Sequence, residues 1–115
     1  MRRAAQVDAN APEIRRMLGA AGAGVLSLER VGQGCPDLLV CFRRTLYLIE
    51  VKDGDKPPAE RKLTPAQVEF HRTWPGPIAV VTNRDEALRA IGLEVADPDP
   101  RQLDLISLAK KRRGK

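Results

Sequence analysis

The stretch GCPDLLVCFRRTLYLIEVK, residues 34–52, decides the fold. It contains two apolar runs, 37–42 and 45–51, separated by the pair Arg43-Arg44. Short, nearly continuous apolar runs bounded by turn residues are typical of central strands that are covered on both faces. We therefore predict that these two runs are neighbouring strands of one β-hairpin.

This hairpin predicts a close approach of two carboxylates. If Phe42 lies opposite Thr45, then Asp37 lies opposite Glu50, with Cβ atoms about 5 Å apart. Lys52 follows Glu50 by two positions, so strand alternation places it on the same face. A loop of odd length would shift the register and separate these side chains. An Arg-Arg pair is also unfavourable in the primed two-residue turns of hairpins. The predicted site forms only if the hairpin nevertheless has this register.

Two opposed carboxylates beside a lysine suit the metal-dependent hydrolysis of a phosphodiester. The carboxylates repel each other and raise each other's pKa, and a divalent cation removes that penalty. All-oxygen ligands favour Mg²⁺ or Mn²⁺ over zinc. The Lys52 ammonium can stabilise charge on a phosphate or activate a water. The alternative is that Asp37 is a surface acid, and that Glu50 and Lys52 are an exposed pair of opposite charges.

The remaining elements predict an α/β domain with a mixed sheet. Three helices are expected, and their N-caps are Asn10, Thr64 and Asn83. Glu13 and Gln67 are the matching capping-box partners of the first two. The further strands are 25–30, 78–81 and a short edge strand at 93–95. A last helix is expected to start at Asp99 and run into the C-terminal end. Hairpin-connected strands followed by a helical crossover indicate a mixed sheet with helices on its faces.

Length and composition exclude several classes of protein. A chain of 115 residues is one domain, or one domain plus a tail. Hydrophobic residues at 43% and charged residues at 30% exclude disorder of the whole chain. No apolar run approaches 18 residues, so we expect no membrane span, and the N-terminus lacks the apolar region of a secretory signal. Cys35 and Cys41 are too few for a disulfide framework, which favours a reducing cytoplasm, and they are expected to be small packing residues.

The excess of positive charge lies at the C-terminal end. Lys and Arg total 20 against 15 for Asp and Glu, but residues 110–115 hold five of the bases, which leaves 15 against 15 in the rest. We therefore divide the chain into a domain at 1–109 and a basic tail at 110–115. Such a tail is typical of electrostatic attraction to nucleic acid, and the alternative is a solvated end.

The pattern Gly34-x-Pro36-Asp37, followed by Glu50-x-Lys52 at a strand end, resembles the PD-(D/E)XK nuclease superfamily. More narrowly, about residues 10–93 resemble a stand-alone VRR-NUC domain. The supporting stretches are Gly32-x-Gly34-x-Pro36-Asp37-Leu38, Leu48-Ile49-Glu50-Val51-Lys52, Leu63-Thr64-x-x-Gln67-x-x-Phe70 and Val80-Val81-x-x-x-x-Glu86-Ala87-Leu88. The resemblance implies a restriction-endonuclease-like αβββαβ core with C-terminal additions, and a metal-dependent DNA endonuclease activity.

The resemblance also implies roles for individual residues. The metal ligands, for Mg²⁺ or Mn²⁺, would be Asp37, Glu50, Glu13 and the main-chain carbonyl of Val51. Lys52 would be the catalytic lysine, and Gln67 would be a helix glutamine near the active site. For Glu13 and Gln67 the alternative is the capping box, and for Gln67 the two roles are compatible.

The implied partner is DNA, in branched, flapped or four-way forms from phage or repair contexts. Cutting two strands of a junction with one active site per chain requires a homodimer, for which C2 symmetry is the usual solution. The predicted phosphate contacts are Lys56, Arg61 and Lys62 in the charged loop, and Lys110, Lys111, Arg112 and Arg113 in the tail. The alternatives are a non-catalytic nucleic-acid-binding module on the same fold and a nuclease that acts on RNA.

Deletion of residues 110–115 is expected to weaken DNA binding similarly for all DNA shapes. Each lost phosphate contact flattens the slope of log K against log salt by about 0.9. The tail contains five bases, and such a tail rarely engages all of them, so we expect the slope to change by about two to three. Cleavage at saturating DNA should persist, because the candidate metal ligands and the lysine remain. A salt titration of both proteins is the measurement, and an unchanged slope would show that the tail does not contact DNA.

Overall fold

The structure, a computed structural model, describes residues 9–95. Its helices are α1 (Ala11–Ala20), α2 (Pro65–Thr73) and α3 (Arg84–Ala90). Its strands are β1 (Gly24–Ser27), β2 (Leu38–Phe42), β3 (Thr45–Val51) and β4 (Ile78–Val81). A 3₁₀ turn at Pro58–Glu60 precedes α2. The helix predicted from Asp99, the tail and the domain boundary at 109 lie outside the described residues.

The four strands form one mixed sheet in the order β1-β2-β3-β4. The first three strands are antiparallel neighbours, and β4 is parallel to β3 after the crossover through α2. This arrangement confirms the predicted α/β class and the αβββαβ order. The edge strand predicted at 93–95 is wrong. Leu93 packs against the core, and the Val95 carbonyl accepts a hydrogen bond from Arg89 of α3 rather than from a strand.

The β2–β3 hairpin has the predicted register. Phe42 lies opposite Thr45 and Leu38 opposite Ile49, which extends to Asp37 opposite Glu50. The turn residues Arg43 and Arg44 have φ angles of 50° and 69°. Both values are in the left-handed region that the primed hairpin turns require. The Arg43 guanidinium lies 4.8 Å from the centre of the Phe42 ring, a cation–π contact that helps to hold this turn.

The two faces of the sheet differ in burial. One face packs under α1 and α3, and its buried residues are Leu38, Val40, Phe42, Ile49 and Val51. On the other face Leu26, Cys41 and Leu46 are exposed, although Leu48 is buried. Among residues 9–95, nothing covers this part of the sheet, so the expectation that both strands are covered on both faces is not met there, and Cys41 is exposed instead of packed. Helix α2 has no buried residue, and it contacts this face through Gln67, which bonds to Glu50 and Lys52.

The helix caps follow the prediction at two of three positions. Thr64 and Gln67 form the complete capping box of α2, and the Asn83 side chain accepts a hydrogen bond from the Glu86 amide. Asn10 makes no side-chain cap, so its predicted capping box is wrong. Its Nδ2 instead donates to the carbonyl of Lys52 at 3.1 Å and to that of Thr82 at 2.8 Å. The amide therefore ties the start of α1 to the ends of β3 and β4.

Replacing Arg44 by glycine should stabilise the protein. Glycine adopts a positive φ without the clash of a Cβ atom, so the free energy of unfolding should rise by about 1 kcal/mol. For a domain of this size that corresponds to a melting temperature higher by about 4–8 °C. Arg44→Ala is the matched control, because it removes the same charge but keeps a Cβ atom. An equal gain in both variants would assign the effect to charge and not to backbone strain.

Candidate active site

Asp37 is held firmly at the entrance of β2. Its Oδ2 accepts a hydrogen bond from the Val51 amide at 2.8 Å, across the hairpin. Its main-chain carbonyl accepts another from the Leu28 amide at 2.7 Å. The preceding Pro36 is fully buried. The Asp37 carboxylate is therefore fixed beside the end of β3, at a position that the hairpin register determines.

Glu50 is the one buried charged residue in the described part of the chain, with an exposed fraction of 2%. Its Oε2 accepts a hydrogen bond from Gln67 Nε2 at 3.1 Å and lies 3.7 Å from Lys52 Nζ. No donor among the described residues contacts its Oε1. Burial raises the pKa of this carboxyl to about 8, with a further increase from the Asp37 charge and an opposing effect of Lys52. At neutral pH the metal-free site therefore favours a protonated Glu50, whose proton can be shared with Asp37.

Gln67 joins the α2 cap to the two charged residues. Its side-chain oxygen accepts from the Thr64 amide at 2.8 Å and from Lys52 Nζ at 3.1 Å. Its side-chain nitrogen donates to Glu50. One amide thus presents an acceptor to the ammonium and a donor to the carboxylate. The sequence left two compatible roles open for Gln67, a capping-box partner and a glutamine near Lys52 and Glu50. In the structure Gln67 has both roles.

Gly34 explains how α2 reaches this position. It has a φ of +80°, and a Cβ atom there would overlap the Ala66 carbonyl and lie 3.0 Å from the Gln67 amide nitrogen. Only glycine permits this close approach of the loop to the first turn of α2. The motif alone does not indicate this role of Gly34, although a glycine two residues before Pro36 is a signal for a special backbone position.

Glu13 lies apart from this cluster. Its Oε2 is 3.6 Å from Arg84 Nη1, and both side chains are about half-exposed. It also lines a separate polar cavity, whose other residues are Asn10, Asp53, Gly54, Asp55, Thr82 and Asn83. Within residues 9–95, no three His, Cys, Asp or Glu side chains are grouped so that they can hold a metal ion. The structure thus does not bring Glu13 to Asp37 and Glu50, and its role as a ligand stays a prediction.

The charges of the site also shift the pKa values of two nearby side chains, Cys35 and His71. Burial raises the pKa of the Cys35 thiol, and the carboxylates of Glu50 and Asp37 raise it further. Burial lowers the pKa of His71, with a contribution from the Lys52 ammonium. His71 Nε2 is buried and has no hydrogen-bond partner among the described residues. The effect of Lys52 on this pKa indicates that His71, on α2, lies near the site.

The predicted phosphate contacts are described only in part. Lys56 and Lys62 are exposed, whereas Arg61 is half-buried. Arg61 Nε donates to the Lys56 carbonyl at 2.7 Å, which closes the charged loop on itself before α2 begins. The basic residues of the tail lie outside the described residues. The interface with nucleic acid therefore stays a prediction.

The carboxylate pair fits a divalent cation. Asp37 and Glu50 have carboxylate oxygens on one face that could act as ligands, and the buried Glu50 Oε1 lacks a donor that would satisfy it as an anion. The hydrogen bond between Asp37 and the Val51 amide also holds the main chain of Val51 next to the pair. Oxygen donors of this kind are those that Mg²⁺ and Mn²⁺ prefer.

Comparison with known structures relates this arrangement to one family. A solved structure described as a VRR-NUC domain is 26% identical, with a TM-score of 0.50; the match covers 73% of this chain and 96% of that one. The likeness confirms the VRR-NUC assignment. Neither protein-family models nor curated proteins gave a match. Among residues 9–95, no helix has the length and apolar character needed to cross a membrane.

The raised pKa of Glu50 predicts a distinctive pH dependence for the metal-free VRR-NUC domain. Between its ordinary pKa of 4.5 and about 8, the folded protein binds more protons at this site than the unfolded chain. The free energy of unfolding should therefore fall as pH rises through this window. Glu50→Gln should remove that part of the decline, as measured by denaturant melts from pH 5 to pH 8.5 in the presence of a chelator.

Glu13→Gln is the matched control, because it removes a half-exposed carboxylate and should keep the decline. The same slope in native protein and Glu50→Gln would contradict the assignment. Such a result would mean that the decline arises from other groups.

Proposed function

We propose that this chain is a metal-dependent endonuclease that hydrolyses DNA phosphodiester bonds. The observation that carries the proposal is the convergence of Asp37, Glu50 and Lys52 on one face of the sheet, with Gln67 between the last two. The VRR-NUC assignment supports nuclease activity, because VRR-NUC domains are nuclease domains.

The carboxylates of Asp37 and Glu50, with the main-chain carbonyl of Val51, would hold Mg²⁺ or Mn²⁺. When bound, such a cation supplies Lewis acidity toward a phosphate oxygen and lowers the pKa of a coordinated water. Glu50 must lose its proton to act as a ligand, and the nearby Lys52 favours that charged form. Asp37 needs no rearrangement, because the Val51 amide already orients its carboxylate.

Lys52 supplies the positive charge of the chemical step. Its side chain is only 14% exposed, so its field is weakly screened by solvent. Gln67 holds the ammonium through one hydrogen bond and also donates to Glu50, which lies 3.7 Å from the ammonium. A remaining N–H can then orient the attacking water or donate to the phosphate as negative charge develops. Because the ammonium is positioned before the substrate arrives, little reorganisation is needed.

The finer parts of the proposal concern the substrate and the assembly. Lys56, Arg61 and Lys62, together with the tail at 110–115, would contact backbone phosphates and so recognise DNA shape rather than sequence. We propose branched, flapped or four-way DNA in a phage or repair context, cut by a homodimer in which each copy supplies one site. A cytoplasmic location remains a prediction.

The test is a nuclease assay with Mg²⁺ and with Mn²⁺ on linear, flapped and four-way DNA, and on RNA of matched sequence. Asp37→Asn should abolish cleavage. Lys52→Ala should lower the single-turnover rate by about 10²-fold, as expected for the loss of one electrostatic stabiliser. Binding measured with Ca²⁺ should change little in Lys52→Ala, because the ammonium acts mainly on the transition state.

Lys62→Ala is the matched control, since Lys62 is an exposed lysine of the charged loop. It should weaken binding and leave the rate at saturating DNA unchanged. If Lys52→Ala weakens binding as much as it lowers the rate, Lys52 is a phosphate anchor. Binding without cleavage of any substrate would favour the non-catalytic module, and cleavage of RNA alone would favour the RNA nuclease.

A further inference from the structure

One apolar surface of the sheet lacks a cover within the described residues. The open face, as we define it, consists of Leu26, Leu39, Cys41 and Leu46. Leu26 lies opposite Leu39, and Cys41 lies opposite Leu46, so all four side chains point to one side. Leu26 is 62% exposed and Leu46 is 56% exposed. Helices α1 and α3 pack on the other side of the sheet.

Helix α2 stands on the same side as the open face but at its far end. Gln67 anchors α2 to Glu50 and Lys52, whereas Cys41 and Leu46 lie at the hairpin turn. Contiguous exposed leucines on a sheet face mark a surface that another segment or molecule covers. Helix α2 therefore leaves the open face uncovered near the hairpin turn, and another segment or molecule is expected to pack there.

We propose that residues 96–109 of the same chain cover the open face. The position at which the described chain ends favours this occupant. Tyr47, which is adjacent to Leu46, donates a hydrogen bond through its hydroxyl to the Ile91 carbonyl at 3.3 Å. The C-terminal end of α3 is thus fixed at the turn end of the sheet. The chain continues beyond Val95 from this end.

The length and composition of the segment fit the open face. Twenty residues follow Val95, and the apolar ones near their middle are Leu103, Leu105, Ile106 and Leu108. Seven extended residues, 96–102, span about 23 Å. That reach is sufficient to round the end of a sheet, because packed layers lie about 10 Å apart. The leucines of the segment can therefore meet those of the open face.

Charge along the route is complementary. Arg43 and Arg44 are exposed at the hairpin turn, and residues 96–102, just before the apolar part, carry Asp97 and Asp99 against one base, Arg101. Opposite charges that pass within a Debye length attract each other. A further consequence rests on the proposed function: the tail at 110–115 would emerge on the side of the sheet that carries Glu50 and Lys52. The basic residues would then lie where a phosphate backbone must pass.

Cys41 is a natural probe of this cover, because its thiol is exposed on the open face. In full-length protein with Cys35→Ala, the rate of reaction with a thiol reagent reports Cys41 alone. We expect slow reaction in this protein and reaction at least about tenfold faster in Leu105→Asp/Ile106→Asp, because burial of apolar side chains of this size favours the covered state by that factor or more. Ser107→Asp, a polar position in the same segment, is the matched control and should retain protection.

The outcomes are separable from those of the nuclease assay, because thiol reactivity needs neither metal nor DNA. Deletion of 110–115 should leave Cys41 protected. Equal, fast reaction in the native sequence and in the double variant would overturn the proposal. Protection that grows with protein concentration would overturn it in favour of a second copy as the cover. Protection that persists in the double variant would also overturn it, since another part of the molecule must then cover the face.

Discussion

The register of the β2–β3 hairpin is the constraint on which the rest of the structure depends. Phe42 opposite Thr45 places Asp37 opposite Glu50, and the Asp37 carboxylate then meets the Val51 amide. A shift by one residue would turn Glu50 toward the apolar core and expose the residues that α1 and α3 now cover. The same pairing therefore builds the core on one face and the charged cluster on the other. Fold stability and site geometry are coupled through one turn.

Helix α2 is coupled to the site through polar contacts and one close backbone approach rather than through a core. None of its residues is buried, yet Gln67 connects its capping box to Lys52 and Glu50. Gly34 permits the loop before β2 to approach the first turn of α2. The start of the helix thus places Gln67, and Gln67 in turn orients the lysine.

The sequence predicted the locally encoded features and missed those set by tertiary contacts. The bounds of β3 and β4 and the α2 capping box depend on neighbouring residues, and they were predicted correctly. Asn10 has the same local cap signal as Thr64, but its amide satisfies carbonyls at the ends of two strands instead. Pairing between Glu13 and Arg84 joins distant parts of the chain. Apolar runs indicate strands, but they do not predict which face of the sheet a helix will cover.

Burial of Glu50 lowers the stability of the metal-free fold and favours the binding of a cation. A carboxyl with a pKa raised to about 8 is mostly neutral at pH 7, so Asp37 and Lys52 then lie beside an uncharged acid. A group that must be deprotonated to coordinate a cation makes binding pH-dependent and releases a proton on binding. Because solvent is largely excluded from Glu50, the charges that remain after deprotonation interact strongly. Burial of Glu50 thus destabilises the metal-free fold. The same burial strengthens the attraction of the deprotonated carboxylate to a bound cation and to the Lys52 ammonium, compared with that of a solvent-exposed carboxylate.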